Sequence, residues 1–310
     1  MRRKLTYTGA FGAARTLGLL MRPRGLDWVT EPPSPAHDVD IVLHISCNAH
    51  YTLFIPYIAQ EVLRRLGKKF IVFGGPESCC GFMQVHVGDA DLEEETARKT
   101  LLGFNRTHPQ LLVSVCPDCD EAFEKYRLSN MRFEIANISD LFDRYLDELR
   151  ALMRPVNRRA VVHYHSVNAA RQTDAARIRR LLEAIPGLQL IEAQKNHGPG
   201  IHCQTTAPMS AEDQESMFAE ASAIGADTLI VPYHSCYRQH CKMELRYKVD
   251  VQHYLGILAE SLGIAFEEPF KALRLLNSVD AVMEKLRPSI ATQVYDEDTV
   301  RGFVERAIFC

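Results

Sequence analysis

The stretch Ile41-Val-Leu-His-Ile-Ser46, followed at once by Cys47, decides how this chain is read. It is a short, nearly continuous apolar run, the pattern of a strand buried on both faces of a parallel sheet. Residues 51–66 then repeat Leu53, Ile58, Val62 and Leu66 at helical spacing, until Gly67 stops the helix. Phe70–Phe73 is a second strand, closed by Gly74-Gly75-Pro76. A helix with an acidic start is expected over 91–104, then a strand over 111–115 and a helix over 118–128. A strand over 132–136 and a helix over 140–152 complete the set. Strands that alternate with helices predict a parallel sheet covered on both faces.

The alternation recurs. Residues 160–164 read as a strand, 169–184 as a helix ended by Pro186-Gly187, and 188–193 as a strand. Residues 211–223 read as a helix, 228–232 as a strand and 251–262 as a helix. Laying Ile41 on Val161 shifts the chain by 120 residues and matches the elements one by one. The expected fold class is α/β, two pseudo-duplicated Rossmann-like βαβ units with parallel sheets. By residue number this predicts a basic N-terminal arm over 1–39, a first unit over 40–155 and a second over 156–265. A tail over 266–310 reads as two helices around Pro288.

Composition narrows the function classes. Of 310 residues, 46% are hydrophobic and 24% charged, ordinary for a globular chain and unlike a disordered or collagenous one. Thirty-six basic against 39 acidic side chains leave a formal charge of −3, so no broad basic field recruits nucleic acid. No apolar run is long enough to predict a membrane span. The arm carries Arg2, Arg3, Lys4, Arg15, Arg22 and Arg24 before its first acid, Asp27. It lacks the serine content of a transit peptide and the apolar core of a secretory signal, and reads as an arm that packs on the body or docks a partner. Nine cysteines, an odd and clustered set, fit metal or redox chemistry in a reducing, cytoplasmic setting better than structural disulfides.

Those cysteines stand where strands end. Cys47 follows the first strand, Cys79-Cys80-Gly81 the second, and Cys116-Pro-Asp-Cys119 the third. Carboxyl ends of neighbouring parallel strands share one rim, where ligands bind in open α/β folds, so five thiols can meet in one pocket. Thiolates are soft ligands that select iron–sulfur clusters or zinc. Five exceed the four of a tetrahedral zinc site or an ordinary cubane, which points to a cluster of unusual shape. Blander readings stay open at this level. Cys116-x-x-Cys119 suits a thioredoxin-like dithiol, Cys79-Cys80 a vicinal disulfide, and any single cysteine a small buried hydrophobe.

The full pattern, Cys47, 31 residues, Cys79-Cys80-Gly81, 34 residues, Cys116-x-x-Cys119, resembles the cysteine-rich CCG domain. That domain typifies the B-type polypeptide of heterodisulfide reductase and its relatives, which usually carry two copies. The resemblance covers about residues 40–265. It implies a noncubane [4Fe-4S] cluster held by Cys47, Cys79, Cys80, Cys116 and Cys119.

The second copy departs from the pattern. Asn168, in His165-Ser-Val-Asn168, stands where the first cysteine belongs, and the Cys-Cys-Gly position reads His202-Cys203-Gln204. The last motif reads Tyr233-His-Ser-Cys236, with His240 and Cys241 one turn on. Five thiolates are unavailable there, so a second noncubane cluster is not expected. Three readings of that pocket stand together: a vestige of the fold, a zinc or other metal centre from Cys203, Cys236 and Cys241 with a histidine, or a substrate pocket. In the last, His165, His202 or His234 moves protons.

The resemblance implies a redox subunit that makes or breaks a sulfur–sulfur bond of a thiol, a disulfide or a lipoate-type carrier. Its implied partners are a ferredoxin-like iron–sulfur subunit and a flavin-containing subunit. The chain has neither a ferredoxin-type cysteine run nor a Gly-x-Gly-x-x-Gly after a strand, so electrons are expected to pass to or from another chain. Two alternatives remain: a non-catalytic electron-transfer or scaffold subunit, and a zinc or dithiol protein without a cluster.

Overall fold

Eight strands, among the described residues, form two separate four-stranded sheets, and every pairing in both is parallel. The structure, a computed structural model, describes residues 7–22, 39–75, 78–85, 89–164, 169–194, 209–293 and 295–309. The first sheet holds β1 (Ile41–Ile45), β2 (Phe70–Gly74), β3 (Leu111–Ser114) and β4 (Glu134–Asn137) in the order β2-β1-β3-β4. The second holds β5 (Arg159–Val162), β6 (Gln189–Leu190), β7 (Thr228–Val231) and β8 (Asp250–His253) in the order β6-β5-β7-β8. The repeated order bears out the duplicated α/β fold. The central strands β1 and β7 are buried at every residue, as the apolar runs that encode them require.

Helices α1 (Tyr7–Leu20), α2 (Phe54–Arg65), α3 (Phe82–Val85), α4 (Ala90–Asn105) and α5 (Pro117–Lys125) accompany the first sheet in chain order. A 3₁₀ turn over Cys47–Tyr51 precedes α2. Next come α6 (Ile138–Arg144), α7 (Leu146–Arg150), α8 (Ala169–Glu183), α9 (Ala211–Ala223), α10 (His234–His240) and α11 (Tyr254–Leu262). The chain closes with α12 (Pro269–Arg274), α13 (Val279–Gln293) and α14 (Glu297–Ala307). Contacts divide the chain into one unit of residues 1–56, 63–137 and 268–310 and another of 57–62 and 138–267. Helix α1 buries Ala13, Ala14, Leu17 and Leu20 and touches α13 and α14, so the described part of the arm and the tail belong to the first unit.

Several element boundaries differ from the sequence reading. The helix expected over 251–262 begins only at Tyr254, because Asp250–His253 is an edge strand paired with β7. Val251 and His253 face inward and Asp250 and Gln252 outward, and a four-residue alternation is hidden beside the longer apolar run of α11. The strand expected over 188–193 shrinks to Gln189–Leu190, since only Arg159 and Ala160 pair with it. The helix expected over 140–152 breaks at Tyr145 into α6 and α7. Pro288 lies inside α13 and does not separate two helices. Its ring is exposed, while Val282, Met283, Leu286 and Ile290 on the opposite face are buried and carry the helix through.

Candidate metal centre

Strand order builds the first rim. In β2-β1-β3-β4 the crossovers from β1 and from β3 leave toward opposite edges, and the carboxyl end of the β1–β3 pair is the switch point where open α/β sheets bind ligands. Cys47 follows β1 and opens the 3₁₀ turn. Cys116 follows β3 and N-caps α5, with Pro117 in the first turn, where its fixed φ suits the helix. The Ser114 hydroxyl accepts the Cys116 amide at 3.0 Å and donates to the Cys116 carbonyl at 2.9 Å. Cys119 lies one turn into α5, its amide donating to the Cys116 carbonyl at 3.0 Å. Both cysteines of this motif therefore sit at the N-terminus of a helix.

Cys79 and Cys80 lie beyond β2, next to β1, in a turn shaped by Gly81. Gly81 has φ of +82°, and a Cβ there would lie 2.5 Å from the Glu93 carbonyl oxygen. Glycine is thus required twice over, for the left-handed backbone and for the close approach of α4. The Gly81 amide donates to Cys79 Sγ at 3.3 Å, and the Thr100 hydroxyl of α4 donates to the Cys79 carbonyl at 2.7 Å. Glu93 is buried, its carboxylate accepting from Tyr126 Oη at 2.5 Å and Lys125 Nζ at 3.0 Å. This ties the turn, α4 and α5 together.

The five thiols meet. Side-chain hydrogen bonds link Cys47 to Cys79, Cys79 to Cys80, Cys80 to Cys119 and Cys119 to Cys116. The bond to Cys79, then burial, holds the Cys47 thiol well above its ordinary pKa. For Cys80 the bond to Cys119 pulls downward, but the bond to Cys79 and burial outweigh it. Bonds to Cys116 and Cys80, with burial, push Cys119 up as well. Cys80, Cys116 and Cys119 belong to an apolar core with Val42, Leu101, Leu112 and Phe133, where like charges are poorly screened. Cys47 is the partly exposed residue of the five, although its thiol is buried like those of the other four.

Among the described residues, no three of Cys, His, Asp and Glu close on a single ion. The sulfurs form a line of contacts and not a tetrahedron about one point. Their chemistry fits an iron–sulfur cluster: soft donors, packed where hydrogen bonds to one another and burial retain the protons, beside a helix N-terminus and a backbone N–H donor.

One residue of this rim was not singled out from the sequence. His44, fully buried on β1, has Nε2 2.7 Å from the Ser78 carbonyl oxygen, the residue before Cys79. Its ring packs against Phe104 at 5.6 Å and Phe123 at 5.0 Å. Burial pulls its pKa down to about 4, so it is neutral at physiological pH. The available signal was an imidazole in a strand of otherwise apolar residues.

The second rim is built on the same plan with other side chains. Tyr233 N-caps α10 as Cys116 N-caps α5. Its hydroxyl donates to buried Asp174 at 2.7 Å, the Ser139 hydroxyl donates to the other oxygen, and the Arg171 guanidinium lies 5.3 Å from the Tyr233 ring centre. Burial raises the Asp174 pKa. Cys236 and Cys241 are both fully buried, the Cys241 thiol lying 3.8 Å from the Arg238 carbonyl oxygen. Burial lowers His234 to about 4. Near neutrality its imidazole carries no extra proton to deliver. His165, Asn168, His202 and Cys203 lie outside the described residues.

Residues 41–124, which include all five cysteines of the first rim, match the family model of the cysteine-rich CCG domain. The D polypeptide of the dihydromethanophenazine:CoB–CoM heterodisulfide reductase of Methanosarcina mazei is 24% identical over 259 residues, 77% of this chain and 63% of that protein. The B polypeptide of the fumarate reductase (CoM/CoB) of Methanothermobacter marburgensis is 28% identical over 155 residues, 48% of this chain and 30% of that protein. The chain therefore spans less than two thirds of these relatives. Among solved structures, a putative Asp/Glu racemase from Yersinia pestis aligns with 72% of this chain and 97% of its own at 12% identity, with a TM-score of 0.35. Among the described residues, no helix is long and apolar enough to cross a membrane.

Proposed function

We propose that Cys47, Cys79, Cys80, Cys116 and Cys119 hold a noncubane [4Fe-4S] cluster, and that the chain is the redox subunit at which a sulfur–sulfur bond is made or broken. The observation that carries this reading is the unbroken line of hydrogen-bonded thiols drawn from three adjacent strand ends. When bound, such a cluster supplies a store of electrons and iron that has affinity for sulfur. The chain's own part is to gather the sulfurs, keep them out of water and leave one edge accessible. Cys47 is the one partly exposed residue of the five, so a thiol, disulfide or carrier-bound sulfur approaches from its side.

Cleaving a disulfide takes two electrons and two protons and yields two thiols; the reverse releases them. As the resemblance implies, the chain exchanges those electrons with a partner iron–sulfur protein. The curated relatives, which by name are components of reductases, support a place in a multi-protein complex. The protons come from solvent.

Anaerobic reconstitution with iron and sulfide tests the reading, with metal, acid-labile sulfide and paramagnetic resonance as readouts. About four irons and four sulfides per chain are expected. The resonance signal changes when a substrate thiol is added. Zinc alone, or iron without sulfide, overturns the assignment.

A further inference from the structure

We propose that His44 is a positioning residue for the metal centre: by donating Nε2–H to the Ser78 carbonyl it fastens the Cys79-Cys80 turn to strand β1. The inference rests on the proposed cluster but has its own test.

Three observations carry it. First, β1 and the turn beyond β2 must keep a set spacing if Cys47 and Cys79 are to share one centre. Pairing of β1 with β2 ends at Ile45 and Gly74, before the cysteines begin. The His44–Ser78 bond, at 2.7 Å, crosses that gap at the residue next to Cys79. Second, the ring has no freedom to swing away. Phe123 meets it edge-on at 79° and Phe104 at 56°, and the residue is fully buried. Third, the second unit repeats the ring packing. His163 directly follows β5 at the position that pairing with β7 makes equivalent to His44, its amide donating to the Ile230 carbonyl at 2.8 Å. His240 meets the His163 ring at 84°, as Phe123 meets His44. An imidazole caged by a ring is thus a feature of the fold, and in the first unit the cage aims Nε2 at the cysteine turn. Outer contacts of this kind fix the geometry of metal ligands.

The test uses His44→Phe, which fills the cage without a donor, and His44→Gln, whose amide reaches the Ser78 carbonyl. His44→Asn, whose amide stops short, replaces the phenylalanine variant if that one does not fold. After anaerobic reconstitution, His44→Phe or His44→Asn should lose iron to a chelator about tenfold faster than wild type and show an altered resonance spectrum. His44→Gln should restore both. If all variants lower the melting temperature together while iron loss and spectrum stay at wild-type values, the role is structural only and the proposal is overturned.

A second readout does not depend on the cluster. In metal-free protein, alkylation of Cys79 followed by mass spectrometry should be faster in His44→Phe or His44→Asn than in wild type, and normal in His44→Gln. Equal rates in every variant overturn the tether. Wild-type protein that takes up no iron overturns the cluster reading, and the alkylation rates then decide the His44 tether by themselves.

Discussion

Tyr233 occupies in the second unit the place that Cys116 occupies in the first: each N-caps the helix that leaves its sheet's third strand. At that shared place one unit presents a thiol hydrogen-bonded to Cys119. The other presents a phenol to a buried carboxylate, Asp174, 2.7 Å away. The duplicated backbone is the same, and the chemistry at the rim has diverged.

Replacing Tyr233 by Phe should therefore act on stability and not on iron. It removes one donor to a buried carboxylate, whose pKa burial already raises. A loss of about 1–3 kcal/mol in chemical denaturation is expected, with iron content unchanged. Loss of iron in this variant would show that the second unit takes part in the centre.

Cys80→Ser should do the reverse. Cys80 joins the Cys47–Cys79 pair to the Cys116–Cys119 pair through its bonds to Cys79 and Cys119. Serine is nearly isosteric but a poor ligand for iron, so most of the iron should go while the metal-free protein melts close to wild type. Undiminished iron would remove Cys80 from the ligand set.

Two glycines separate need from chance. Gly81→Ala forces a side chain onto a left-handed backbone and into the Glu93 carbonyl, costing more than about 2 kcal/mol and displacing the Cys79-Cys80 turn. Gly103, inside α4 with open space around its Cα, should tolerate Ala and gain up to about 1 kcal/mol. Melting curves of both, with iron content, check the contrast. A benign Gly81→Ala would contradict the described turn.

Acid should destabilise the chain through His253. Its Nδ1 accepts the Leu255 amide at 3.2 Å as the cap of α11, and burial, with His234 nearby, lowers its pKa to about 3. The unfolded chain binds that proton near the ordinary value of 6.5, the folded chain only near 3. The stabilisation is thus complete above 6.5 and is lost as pH falls toward 3, at roughly 1.4 kcal/mol per pH unit. His253→Asn, which retains an acceptor for the cap but does not titrate, should flatten denaturation curves between pH 6.5 and 5 by about 2 kcal/mol. An unchanged slope would mean that His253 titrates alike in both states.

Local pattern is enough to establish the alternation of strands and helices, the duplication and the five cysteines at three strand ends. Period and apolar content show in a run such as 41–46, and carboxyl-end loops of a parallel sheet share a rim whatever their sequence. Strand β8 stayed hidden, since in four residues an edge alternation cannot be told from the start of the helix that follows. What lies against what is fixed by packing in three dimensions. The approach of α4 to Gly81, the reach of His44 to Ser78 and the capture of Tyr233 by Asp174 join residues far apart in the chain. Such pairs follow from how helices settle on the sheet, an outcome of close packing that periodicity does not encode.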